Sequence, residues 1–68
     1  MKIKDLLDTW GGNRYTIVTV FSKDLDNVIL EESISSLYKS PFINKTVKYW
    51  YVDDFPKDDM TNISIDIG

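Results

Sequence analysis

The chain has 68 residues and a formal net charge of −3, with no Cys, no His, two Trp, four Tyr and three Phe. That length has room for one domain, residues 1–68, whose thin core rarely supplies more than about 3–5 kcal/mol without a staple. Disulfides and His- or Cys-based zinc sites are excluded, and the mild acidity argues against the clustered basic face that nonspecific nucleic-acid binding needs.

Ile3, Leu6, Leu7 and Trp10 recur at i, i+3, i+4 and i+7, the stripe of an amphipathic helix. Gly11-Gly12 supplies residues that tolerate positive φ, so the helix is expected to end near Trp10. A helix this short is not stable alone, and its apolar stripe must lie on something. The same segment carries charge within its apolar pattern, unlike a secretory leader, and no stretch approaches the ~20 apolar residues of a membrane span. A cytoplasmic location is the expectation.

Tyr15 to Ser22 is rich in β-branched and aromatic residues and reads as a strand. Ile17 and Phe21 fall on one face and Val18 and Val20 on the other, which suggests a central strand. Lys23 to Asn27 reads as a turn, because Asp and Asn side chains can bond their own backbone. Val28 to Glu32 is then the return strand of a hairpin. Ser33 can cap a short helix with Ile34, Leu37 and Tyr38 as its apolar positions, and Ser40-Pro41 should end it.

Phe42 to Asn44 reads as a connector, and Lys45 to Asp53 is the strongest strand signal in the chain. Asp54 to Thr61 is expected to be a polar loop around Pro56. Asn62 to Ile67 closes the chain, with Ile63, Ile65 and Ile67 buried and Asn62, Ser64 and Asp66 wet. The pattern predicts an α+β fold in the order α-β-β-α-β-β. Two hairpins form one small, mainly antiparallel four-stranded sheet, with the N-terminal helix across one face.

The residue types that usually carry catalysis are missing. No His is present for acid–base work, no Cys for attack, and the serines have no candidate base. The segment Asp53-Asp54-Phe55-Pro56-Lys57-Asp58-Asp59 lacks the alternating ligands, glycine and distal Glu of a calcium loop, and no phosphate-cradling motif accompanies it. It reads as a solvated hairpin tip. No enzyme activity, cofactor or metal is expected.

Val47 to Val52 places Val47, Tyr49 and Tyr51 on one face of a strand, and Lys48, Trp50 and Val52 on the other. Two short helices can cover only one face of the sheet. With the first set under the helix, Trp50, Lys48 and Val52 stand on the open face as a contact patch. Phe55 and the acids Asp53, Asp54, Asp58 and Asp59 lie beside it. A shift of one residue exchanges the faces, turning Trp50 inward and the tyrosines outward. The seven lysines are scattered singly among acids, so the aromatics do not form a basic stacking groove. The expected partner is a protein with a basic surface, steered by the acidic tip. A second copy of the chain is the alternative occupant, with a homo-oligomer or a small ligand enclosed between subunits.

Three segments, Met1 to Leu7, the hairpin from Tyr15 to Glu32 and Ile63 to Ile67, resemble the small proteins of phages and mobile elements of low-GC Gram-positive bacteria. The absence of Ala, the single Arg and the eight Ile fit AT-rich coding. The resemblance implies a gene product acting inside a bacterial host, where such proteins often inhibit a defence or regulatory protein in the manner of anti-CRISPR proteins. It implies no particular site residues.

Overall fold

The computed structural model describes residues 1–10, 16–55 and 60–68, with the backbone alone at Asp54 and Phe55. Helix α1 spans Ile3–Thr9, strand β1 Thr16–Ser22, strand β2 Asn27–Ser33, helix α2 Ile34–Tyr38, strand β3 Tyr49–Phe55 and strand β4 Met60–Asp66. This is the expected α-β-β-α-β-β order, and a 3-10 turn at Pro41–Asn44 takes the place of the expected connector. Both short helical pieces begin on a serine. Ser33 Oγ accepts from Ser36 N at 3.3 Å, and Ser40 Oγ accepts from Phe42 N at 3.2 Å, each supplying an acceptor to an otherwise unpaired amide.

The four strands form one sheet in the order β2-β1-β4-β3. The two hairpins are antiparallel, and they join through a parallel β1–β4 ladder that runs from Thr16↔Thr61 to Phe21↔Asp66. Both central strands are therefore shielded on two sides, which suits the β-branched content of Thr-Ile-Val-Thr-Val and Ile-Ser-Ile. Val18, Val20, Ile63 and Ile65 are fully buried under Ile3, Leu6, Leu7, Leu37 and Ile43. Among the described residues, all of the helical cover lies on this face.

Strand β3 starts at Tyr49, four residues later than the sequence pattern suggests, because the preceding residues are used elsewhere. Ile3 N donates to Lys45 O at 2.9 Å, Val47 N donates to Met1 O at 2.7 Å, and Lys2 bridges to Thr46. Those contacts fasten the N-terminus to the segment before β3, and Val47 packs against the core as part of that clasp. The expected polar loop from Asp54 to Thr61 is shorter as well: Asp54 and Phe55 belong to β3, while Met60 and Thr61 belong to β4.

In the other hairpin, the β1–β2 register slips between Val20 and Phe21, leaving one extra residue in β2. The turn after β1 contains Asp26 at φ 50°, the left-handed region that Asp tolerates better than most residues.

Candidate functional site

Pairing fixes which side chains share a face. Trp50 lies opposite Ile65, and Val52 lies opposite Ile63, so both belong to the helix-covered face. This reverses the face expected from the sequence. The alternation within Tyr-Trp-Tyr-Val was read correctly, but its phase relative to the isoleucines was not. Val52 packs on the core, while Trp50, at the sheet edge, keeps 38% of its surface exposed.

The uncovered face carries Tyr49 and Tyr51 from β3, Phe21 from β1 and Val28 from β2. Tyr49 is 63% exposed and Tyr51 44%. Phe21 and Tyr51 meet edge to face at 6.5 Å, and Tyr49 tilts against Tyr51 at 6.2 Å. Between them runs β4, whose residues on this face are Asn62, Ser64 and Asp66. Ser64 and Asp66 were expected to be wet, but both are buried, since β4 is a central strand overhung by rings from its neighbours.

Beside the rings a polar chain crosses three strands. Ser64 Oγ donates to Asn62 Oδ1 at 3.0 Å, Asn62 Nδ2 donates to Thr19 Oγ1 at 3.0 Å, and Thr19 Oγ1 donates to Glu31 Oε2 at 3.2 Å. The chain holds Asn62 in one orientation, with its amide also donating to Ile17 O at 3.3 Å. One half of the open face is thus aromatic and the other half is a fixed polar array ending in a carboxylate.

Asp66 anchors one end of the aromatic half. Its Oδ1 accepts from Gly68 N at 2.9 Å and from Lys23 N at 3.1 Å. Those two amides, Gly68's first, hold its carboxyl below the usual carboxylate range, and the charges of Lys48 and Lys23 act the same way. Asp66 is therefore an anion at neutral pH. The neighbouring turn is tied to the C-terminus through Ser22, whose Oγ donates to Gly68 O at 2.9 Å and accepts from Leu25 N at 3.2 Å.

Two hollows flank the Phe21–Tyr51 contact. One, of about 300 Å³, extends past Thr19 and Ser64 to Asn27 and Val28. The other, of about 320 Å³, is lined by Phe21, Lys23, Tyr49, Tyr51 and Asp66.

The other residues singled out from the sequence scatter. Asp53 pairs with Asn62 on the open face and is exposed. Lys48 sits at the sheet end with its Nζ 3.5 Å from Asp24 Oδ2, an exposed pair of small energetic weight. The backbones of Asp54 and Phe55 extend β3, and Asp58 and Asp59 lie outside the described residues.

Phe21, Tyr49 and Tyr51 were not read from the sequence as one group, because the parallel β1–β4 ladder that unites them is a long-range feature. Among the described residues no group of three or more acidic side chains is placed to hold a metal ion, and no helix is long and apolar enough to cross a membrane. The chain matches no known family model, no curated protein and no solved structure.

Proposed function

We propose that the chain is a non-enzymatic protein-binding module, and that its contact surface is the open face of the sheet. The observation that carries this reading is the Phe21, Tyr49 and Tyr51 cluster on the face without helical cover, where both tyrosine rings are exposed and Phe21 is half-buried between the strands. Tyrosines with large exposed rings supply contact area at low entropic cost and are the residues that most often anchor protein interfaces. The acids on or beside this face, Glu31, Asp53 and Asp66, and the net charge of −3 fit a partner with a basic surface.

The resemblance to small phage and mobile-element proteins points to a bacterial host protein in the cytoplasm. A nucleic-acid-handling defence effector, inhibited as anti-CRISPR proteins inhibit theirs, is the sharpest version. The test is capture from a low-GC Gram-positive host lysate with the tagged chain and with its Tyr49→Ala/Tyr51→Ala variant. A protein retained by the first should be lost by the second, and with that protein purified, the affinity should fall by about 2 kcal/mol or more. Equal retention by both rejects the reading.

A second copy of the chain is the competing occupant, and one observation favours it. Among the described residues, strand β3 lies at a sheet edge with Tyr49, Trp50 and Tyr51 exposed, and its outer side offers a ladder to another β3. Light scattering over a range of concentrations separates the two: a monomer throughout excludes self-association.

A further inference from the structure

The hollow at the sheet end has a definite chemistry. Three aromatic side chains line it, Phe21, Tyr49 and Tyr51, together with Asp66, which is only 5% exposed. Aromatic ring faces carry negative charge density, and a cation held over them within about 6 Å is attracted electrostatically. A carboxylate placed among such rings adds a full charge of the same sign. Rings and carboxylate together favour a cation over a neutral guest, which gains nothing from the carboxylate's charge.

The volume, about 320 Å³, lies at the lower end for ligand sites and suits one side-chain head better than a drug-sized molecule. Among protein cations, guanidinium fits best, because it is planar, stacks on aromatic faces and carries several N–H donors that can meet a carboxylate oxygen.

We infer that Phe21, Tyr49, Tyr51 and Asp66 form a cage for an arginine side chain of the partner protein. This rests on the reading of the open face as a protein-binding surface and names the chemistry that the surface selects. The carboxylate is preorganised. Gly68 N and Lys23 N fix one of its oxygens, so little side-chain entropy remains to be lost on binding. The rings are already in mutual contact, edge to face and tilted, which leaves their positions set before the guest arrives. Two lysine charges also reach Asp66: Lys23, which lines the hollow, is exposed on a flexible stem and can swing into solvent as the guest enters, while Lys48 is exposed and paired with Asp24 at 3.5 Å.

The cage can be tested without the partner, by titrating the full chain with Nα-acetyl-arginine methylamide and following the aromatic and amide resonances. The neutral isostere Nα-acetyl-citrulline methylamide serves as the control. Saturable shifts at Phe21, Tyr49, Tyr51 and the Gly68 amide with the arginine probe, absent with citrulline, are the expected result. Tyr49→Leu, a change at an exposed ring that leaves the core untouched, should weaken the probe by roughly twofold to thirtyfold. Asp66→Asn should weaken it as well. No saturable shift, equal shifts from both probes, or unchanged affinity in Tyr49→Leu overturns the cage. The reading of the face as a protein-binding surface fails separately, when the double tyrosine variant captures the same proteins as the unaltered chain.

Discussion

Phe21 and Tyr51 meet edge to face at 6.5 Å although strand β4 runs between the strands that carry them. The residue opposite Tyr51 in that intervening strand is Ser64, and the one opposite Phe21 is Asp66. Ser64 is small and its hydroxyl is bound to Asn62, so it leaves room for the rings to lean together above it. The contact is therefore a product of the β4 sequence as much as of the rings. A double-mutant cycle of Phe21→Leu and Tyr51→Leu, read by urea denaturation, should give a coupling of about 0.5–1.5 kcal/mol, nearer the lower value because both rings are partly wet. Additive effects would mean that the rings share a face without supporting each other.

The two aromatic types of strand β3 should separate by experiment. Trp50 stands opposite the buried Ile65, whereas Tyr51 stands opposite Ser64 on the open face. Trp50→Ala should cost about 1–3 kcal/mol of stability, less than full burial would imply, since the ring is 38% exposed. Tyr51→Ala should change stability less and partner capture more. A Trp50→Ala chain of unaltered stability would contradict the placement of Trp50 on the helix-covered face.

Much of the fold was legible because it is local. The spacing of Ile3, Leu6 and Leu7, the capping serine at Ser33 and the alternation of Ile63 and Ile65 each rest on a few neighbouring residues, and each corresponds to an element seen in the structure. What escaped depends on pairing between distant segments. Tyr-Trp-Tyr-Val has bulky groups on both faces, so its alternation defines two faces without saying which one meets the helices; only the opposition of Trp50 and Ile65 decides that. The burial of Ser64 and Asp66 likewise follows from the parallel ladder to β1, which no short window contains. Val47 was legible as a β-former but was assigned to the wrong structure, because the N-terminus competes for its amide.

The core is small enough that one truncation should be decisive. Leu37, on the five-residue helix α2, is fully buried, and that helix reaches both β1 and β2. Leu37→Ala should cost about 2–5 kcal/mol through lost burial and the cavity left behind. Against a total stability of the same size for so short a chain, roughly 3–5 kcal/mol, the variant should be largely unfolded at room temperature, with near-complete loss of its near-ultraviolet circular dichroism. Retention of a cooperative transition close to that of the unaltered chain would show that α2 contributes little to the fold.

Asp66 predicts a specific acid sensitivity. Its carboxyl is held low chiefly by the Gly68 and Lys23 amides, so the folded chain binds its proton less readily than the unfolded chain does. A carboxyl depressed on folding stabilises the native state above its unfolded pKa of about 4, and that stabilisation is lost as pH falls through the unfolded value toward the folded one. Asp8 acts with the same sign, held low first by the Tyr38 hydroxyl and then by Lys4, so the acid response has two sources. Asp66→Asn should therefore be less stable than the unaltered chain near neutrality, and the gap should narrow as the solution is acidified. Part of the slope should survive in the variant through Asp8. Urea midpoints measured for both chains from neutrality down to strong acid supply the comparison; parallel curves would show that the two amides do not favour the ionised form of Asp66.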